Sequence, residues 1–539
     1  VLIQLEKIFK KSDFAHCQKL IVAVSGGGDS LALLFLLRDY FKTLLSPPEI
    51  IVVTIDHQLR EESACEAQKV AEICRAYQIK HVIVRWEGTK PKTDISQKAR
   101  VARYDLLFQE AEKQGATLIM TGHTLNDQVE TYYMRYQRIL KDGAVLRGGQ
   151  EGDGASVLRL EDGVFVGVAQ GGEIVDARCG IGAAGVLRGG QEGDYSNTWE
   201  EMGVTDPLKD TSVLKDNGEL IERGLSCIAR EALLRRKVRL IRPLLDVKRD
   251  ILRAYLRLRG IEWIDDPTND DLRFERVRVR RSIHPKNFSK IAQKVNEAAL
   301  KRRQYAQMIA DLILALDIVV EYGRCFIKRP APFLRHHPGF PFVVGLFAVL
   351  MGGSPYLLAS QKLSTLNQKL CLHSLEKKRF TLARSLIEYS QKGIALWREA
   401  RNVQKAIILP GQTLLWDGRY QITNREADAL KVCAADLVHL KQFFRYGKQF
   451  SNTHMVGDSK MIEDMIDFGG MVDRKRLHFP SLQSLPLVLG AKGIDIPELS
   501  HFSCRHKVIV QRILAPFDWL LLREDAVLIN VVEPFFNIR

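Results

Sequence analysis

The stretch Leu20-Ile-Val-Ala-Val-Ser-Gly-Gly-Gly-Asp-Ser-Leu-Ala-Leu-Leu-Phe-Leu-Leu37 leaves the first part of the chain few ways to fold. Leu20–Val24 is short, apolar and rich in β-branched residues, so it reads as a buried strand. Asp29–Tyr40 is apolar and rich in leucine, so it reads as a helix. The two are joined by a turn of three consecutive glycines. The alternation continues downstream. Ile50–Ile55 reads as a second strand, Val82–Trp86 as a third and Thr117–Thr121 as a fourth. Ser63-Ala-Cys-Glu66 has the form of a capping box opening a helix to about Tyr77. A second long helix spans Ile95–Gln114, and another begins near Asp127. Strict alternation predicts an α/β fold with a doubly wound parallel sheet. In such sheets ligands sit beyond the C-terminal ends of the strands. That edge carries Ser25–Ser30, Asp56-His57 and His123–Asp127.

The glycine turn has a chemical purpose. Glycines admit unusual dihedrals and let a ligand reach bare backbone N–H groups. The helix start adds partial positive charge, so the turn suits phosphate. Ser25 and Ser30 offer hydroxyl donors. Asp29 suits an anion site when magnesium bridges it to the phosphates; its alternative role is that of a helix N-cap. No Gly-Lys-Ser/Thr follows, which excludes the Walker loop. Leu31 breaks the G-x-G-x-x-G begun by Gly26 and Gly28, which excludes the dinucleotide fingerprint.

Charge is concentrated. Residues 223–303 hold 23 Lys/Arg against 10 Asp/Glu, within a chain of net charge +15. Such a block points to a polyanion, most simply nucleic acid. The longest apolar run of the C-terminal half, Phe340–Met351, falls short of the ~20 residues that span a membrane. No signal peptide opens the chain, and nine cysteines without a C-x-x-C fit free thiols in a cytoplasmic protein.

Ser25-Gly-Gly-Gly-Asp-Ser30 resembles the pyrophosphate (PP) loop of the ATP pyrophosphatases, the PP-loop ATPases with an adenine nucleotide alpha hydrolase-like fold. Within them the chain is similar to the tRNA(Ile)-lysidine synthases. The similarity rests on an ordered set: Asp56-His-Gln-Leu-Arg60, Gln97-Lys-Ala-Arg100-Val-Ala-Arg103-Tyr104, Gly122-His-Thr-Leu-Asn-Asp127-Gln-Val-Glu130-Thr131, Leu240-Ile-Arg-Pro-Leu-Leu245, Trp263-Ile-Asp-Asp-Pro-Thr-Asn269 and Arg276-Val-Arg-Val-Arg280. It covers 1–140 and 223–283. The resemblance implies ATP bound by Ser25, Gly26, Gly27, Gly28, Asp29, Ser30, Asp56 and His57. It implies magnesium at Asp29 and Asp127, and Asp29, Arg100 and Asp127 as catalytic groups. Arg103, Arg276, Arg278 and Arg280 become candidates for tRNA contact. The implied reaction ligates free lysine to the wobble cytidine of a CAU anticodon in tRNA(Ile). Monomer and homodimer both stay open.

Two departures stand out. Asn126 occupies the first position of the family's Asp-Asp pair, and Val277 replaces the asparagine of R-N-R-I-R. Residues 139–222 interrupt the pattern, with 17 of the chain's 39 glycines and two copies of Val-Leu-Arg-Gly-Gly-Gln-Glu-Gly-Asp, at 145–153 and 186–194. They read as a flexible insertion. The expected organisation is a catalytic domain 1–283, a helix-rich basic region 284–401 that contacts tRNA, and a small α+β domain 402–539. Strands are expected near Ile407, in "LLWDGRYQI" and in the final "AVLINVVEPFF". Roles for Arg276, Arg278 and Arg280 depend on backbone: extended, they line one face; helical, they spread. Asp127 and Glu130 fit magnesium, a general base or a helix start. Asp265 and Asp266 precede Pro267 and read as a turn. A tRNA thiolase of the same superfamily, or an inactive RNA-binding relative, stays as the alternative. The absence of paired cysteines argues against the first; Asn126 and the insertion keep the second open.

Overall fold

A computed structural model describes residues 3–60, 62–147, 158–161, 164–168, 174–175, 223–265, 271–283, 285–371, 378–448, 477–500 and 504–536. The described residues fall into two compact units, one up to Arg302 and one from Arg303 onward.

The first unit is the alternating α/β region. Its elements are β1 (Lys19–Ala23), α1 (Gly28–Phe41), β2 (Glu49–Asp56), α2 (Ser63–Ala76), β3 (Lys80–Arg85), α3 (Ile95–Gln114), β4 (Leu118–Thr121) and α4 (Leu125–Arg147). Then come β5 (Glu231–Leu234), β6 (Val238–Ile241), α5 (Arg249–Leu258), α6 (Glu275–Ser282) and α7 (Phe288–Ala315), whose last residues lie past Arg302. The unit's strands lie in the order β5-β6-β4-β1-β2-β3. β6, β4, β1, β2 and β3 are parallel, and β5 runs antiparallel to β6. β1 sits between β2 and β4, so the chain reverses its winding direction at β1. This is the topological switch point where doubly wound sheets bind ligands. Helix α1 is buried almost all round, as expected of a helix apolar on every face. Its leucines join Leu20, Val22, Val52, Met120 and Leu252 in the central core.

Local signals were overridden in two places. Ser63 does not cap α2: its hydroxyl donates to Asp56 Oδ1 at 2.7 Å and to the Arg60 carbonyl at 3.0 Å. Glu66 pairs with Arg60 instead. A buried carboxylate outcompetes a solvent-exposed cap because leaving it without donors costs more. Helix α4 runs to Arg147, so the first residues of the stretch 139–222 continue the helix that enters it. Within it, Leu158–Glu161, Val164–Val168 and Ile174–Val175 pair as antiparallel strands. Most of both nonapeptide copies lies outside the described residues.

The second unit adds strands to the stretch before Arg401 that was expected to be helix-rich. A five-stranded antiparallel sheet lies there, in the order β7 (Ile318–Glu321), β8 (Arg324–Lys328), β11 (Gly393–Arg398), β10 (Ser385–Ser390) and β9 (Lys378–Leu382). Helix α8 (Phe340–Gly352), buried throughout, packs on it. The apolar run 340–351 is therefore a core helix, and among the described residues no helix is long and apolar enough to cross a membrane. Thr413–Trp416 and Tyr420–Asn424, within the segment expected to be strand-like, pair as an antiparallel hairpin. The final Ala526–Val532 is a helix and not a strand. Its buried residues, Leu528, Ile529 and Val532, follow helical spacing.

The loop leaving β4 touches the glycine turn after β1. A Cβ on Gly122 would lie 2.9 Å from both the Asp29 carbonyl oxygen and Ser30 Cα. Backbone meets backbone there, so neither side yields easily. Gly122→Ala is expected to cost about 3 kcal/mol in a urea titration. Gly88→Ala, at φ +88° with nothing within 4 Å, is expected to cost about 1 kcal/mol from backbone strain. Equal losses for the two would contradict the close approach.

Candidate active site

The glycine turn is built as the sequence suggests. Gly26 takes φ +86°, a left-handed conformation. Ser30 Oγ donates to the Gly27 carbonyl at 2.9 Å and accepts the Ser25 N–H at 3.2 Å. Ser30 therefore ties the turn together, and the Ser25 hydroxyl lies 3.4 Å from it. Gly28 opens α1, so the first free N–H groups of the helix border the turn.

Behind the turn lies a network of carboxylates and guanidiniums. Asp29 Oδ2 accepts from Arg249 Nε at 2.9 Å. Arg249 also reaches Asp127 Oδ1 at 3.5 Å and Glu130 Oε1 at 3.6 Å. Arg276 donates to Asp127 Oδ1 and to Glu130 Oε2, both at 2.6 Å. Arg280 donates to Glu130 Oε1 at 2.8 Å. Asp127 Oδ2 accepts the Thr124 N–H at 2.7 Å, the reciprocal half of a capping box. Asp127 and Glu130 are thus brought together, but their oxygens are taken. Burial pushes the Glu130 carboxyl up, and hydrogen bonds from Arg280 and Arg276 overcome it and hold the group below its ordinary range. Asn126 Oδ1 accepts the Arg249 N–H at 2.9 Å and caps α5.

Asp29 differs from its neighbours. Its Oδ1 is buried and accepts no hydrogen bond among the described residues. Burial pushes its carboxyl up, against the opposing pull of Arg249. A buried, unmatched carboxylate oxygen beside a phosphate-shaped turn fits one ligand position of a hard cation. Among the described residues no group of three or more His, Cys, Asp or Glu could hold a metal ion. Asp29 would therefore share magnesium with phosphate oxygens and water.

A second group of arginines surrounds Tyr104. Arg100 and Arg103 share a helix face, each 5.3 Å from the Tyr104 ring centroid. Arg242, 1% exposed, donates to the Ala229 carbonyl at 2.6 Å and reaches the Tyr104 hydroxyl at 3.4 Å. Burial alone raises the Tyr104 phenol; Arg242, Arg100 and Arg103 overcome that and bring it down to about 7. Burial and the same arginines push His123 well below the ordinary histidine range. Burial, aided by Arg103, takes His57 to about 4. Both histidines are neutral at pH 7. Asp56 is spoken for by Ser63 and the Gln58 N–H.

Among the buried polar atoms without partners in the described residues, Asp29 Oδ1, His57 Nδ1, Arg103 Nε, Arg242 Nε, Arg253 Nε and Trp263 Nε1 belong to the residues of this region; others lie elsewhere in the chain. Each such group calls for an explanation, and at Asp29 the adjoining glycine turn supplies one. Helix α6 settles the Arg276–Arg280 alternatives. Arg276 and Arg280, four apart, face the carboxylates, while Arg278 turns to the carbonyls of Leu272 and Arg273. Asp265 pairs with Arg253; Asp266 lies outside the described residues. Arg242, Arg249 and Trp263 were not singled out from sequence. Arg242 and Trp263 lie within quoted motifs, but nothing in the spacing marks Arg249.

Fold and site together define a PP-loop protein, and a family model described as PP-loop domain matches residues 1–151 and 210–287. The tRNA(Ile)-lysidine synthase of Bartonella henselae is 59% identical over 534 residues, covering 99% of this chain and 98% of that protein. That of Bartonella quintana is 55% identical over 533 residues, covering 99% and 98%. That of Brucella suis is 29% identical over 531 residues, covering 98% and 96%. The chain belongs to the tRNA(Ile)-lysidine synthase family.

Glu130→Ala removes a buried carboxylate that three guanidiniums share, and with it the carboxylate that Arg280 pairs with, and is expected to cost about 3 kcal/mol at neutral pH. Because the Glu130 carboxyl is held below its ordinary 4.5, its contribution is complete above that pH and is lost as pH falls through the lower folded value. The gap to wild type should close in acid. Asp29→Asn should leave the ligand-free protein as stable as wild type or more so. Urea titrations from neutral to about pH 3 check both. A pH-independent Glu130→Ala gap, or a large loss for Asp29→Asn, would contradict this electrostatic division.

Proposed function

We propose that this chain joins free lysine to the wobble cytidine of a CAU-anticodon tRNA(Ile), with ATP as the activating substrate. The open Asp29 oxygen at the glycine turn, facing no partner among the described residues, carries the ATP half of the reading. The 55–59% identical relatives named for lysidine synthesis support the substrate.

A pyrimidine carbonyl is a poor electrophile, so its oxygen must first become a leaving group. Cytidine O2 attacks the α-phosphorus of ATP, an O–P bond forms, and pyrophosphate departs. The lysine ε-amine then attacks C2, the C2–O2 bond breaks, AMP leaves with that oxygen, and the amine loses a proton. Backbone N–H groups at Gly27–Ser30 and the Ser25 hydroxyl bind the phosphates. Asp56 and His57, at the end of β2, border the nucleoside, His57 as a neutral ring. Magnesium, when held by Asp29, neutralises phosphate charge. Arg100 stabilises charge developing at the α-phosphate. Asp127 acts through Arg249 and Arg276, which it positions. Arg103 and Arg278 contact the RNA backbone. Arg276 and Arg280 already balance carboxylates, and their loss would unsettle the fold along with any RNA contact.

Incubation with ATP, labelled lysine and a CAU-anticodon tRNA should place label in the RNA, with pyrophosphate and AMP released in equal amounts. Asp29→Ala should abolish both products. With ATP labelled at its α-phosphate instead, label retained on RNA without lysine would reassign the lysine half. Activity that depends on sulfur would indicate a thiolase.

A further inference from the structure

Trp263 packs directly on the glycine turn. Its ring atoms lie 3.4–3.5 Å from where a Cβ on Gly28 would stand. The next residue, Ile264, donates its N–H to the Gly26 carbonyl at 2.9 Å. Its Cδ1 lies 2.6 Å from where a Gly26 Cβ would be. The glycines therefore make room for this segment as well as for a ligand.

Helix α5 runs beside it. Arg249, Arg253 and Arg257 follow one another at four-residue spacing, so they share a face. Arg249 holds Asp29. Arg253 and Arg257 place their guanidiniums 5.6 and 5.5 Å from the Trp263 ring centroid. The indole Nε1–H is buried and has no partner among the described residues, and neither has Arg253 Nε. A buried donor left unmatched costs about 1–3 kcal/mol. Packing alone does not explain it: phenylalanine would fill much of the same space and receive the same guanidiniums without that cost. Asp265 holds Arg253 Nη2 at 2.8 Å, which leaves Arg253 Nε and the indole N–H as two donors beside a turn built for phosphate.

We propose that Trp263 binds the terminal phosphates of the nucleotide, its indole N–H and Arg253 Nε donating to β- or γ-phosphate oxygens. The pair distinguishes a triphosphate from a monophosphate and stays with pyrophosphate after the α-phosphorus has been transferred. This inference rests on the ATP-dependent reading of the same site.

The test compares the full-length wild type with Trp263→Phe and Trp263→His, using magnesium ATP, inorganic pyrophosphate and AMP in calorimetric titrations. Phenylalanine keeps the ring but removes the donor; histidine restores a ring N–H. Loss of a hydrogen bond to a charged group should weaken ATP and pyrophosphate about ten- to hundredfold in Trp263→Phe. AMP should bind as before, and histidine should recover part of the loss. If Trp263→Phe does not fold, Arg253→Gln is expected to show the same selective loss. Unchanged ATP affinity in the variant, or an equal loss for AMP, overturns the proposal and leaves the ATP reading intact. A wild type that binds no ATP overturns that reading instead.

Discussion

Arg249 is the point on which the site depends. It stands at the first turn of α5 and holds Asp29 through Nε. Its other nitrogens face Asp127 and Glu130. One side chain thus links the turn after β1, the start of α4 and the start of α5. Its own N–H is capped by Asn126. Three carboxylates within reach of one guanidinium repel one another, and burial raises that repulsion. Arg276 and Arg280 relieve two of them. Asp29 remains partly unmatched, which is what a cation and a polyphosphate require of it.

Asn126 has its account in the same network. A fourth carboxylate would stand beside three others, while the position's observed task is to accept one backbone N–H. An amide oxygen does that without added charge. The departure from the family's Asp-Asp pair removes a charge and keeps the hydrogen bond that starts α5. It gives no reason to regard the chain as an inactive relative.

The parallel sheet was legible because its signals are local and agree: apolar strands, glycine at the switch point and leucine-rich α1 all point to one fold. The second unit was harder to read. Ile318–Glu321 and Arg324–Lys328 join through Tyr322 and Gly323, both at positive φ, a tight hairpin signal. It is short and follows directly on the long helix α7, whose periodicity dominated the reading. Ala526–Val532 carries β-branched residues, yet burial on one helical face overrode that propensity. At the site, residues beside the strand ends were visible as polar punctuation after apolar runs. Arg249 was not, since its partners are 119 to 220 positions away in sequence and only the folded sheet brings them together. The carboxylates that Arg276 and Arg280 face were not visible either, because a basic cluster in a sequence shows charge but not its partners.

Arg249→Lys tests this account most directly. Lysine keeps the positive charge but lacks the fork that spans Asp29, Asp127 and Glu130 at once. The measurement is single-turnover pyrophosphate release with saturating ATP and CAU-anticodon tRNA, alongside a urea titration. The account predicts a folded protein whose release rate falls by about a hundredfold or more, as expected when a positioning contact is lost. A wild-type rate in the folded variant would show that Arg249 does not organise the site.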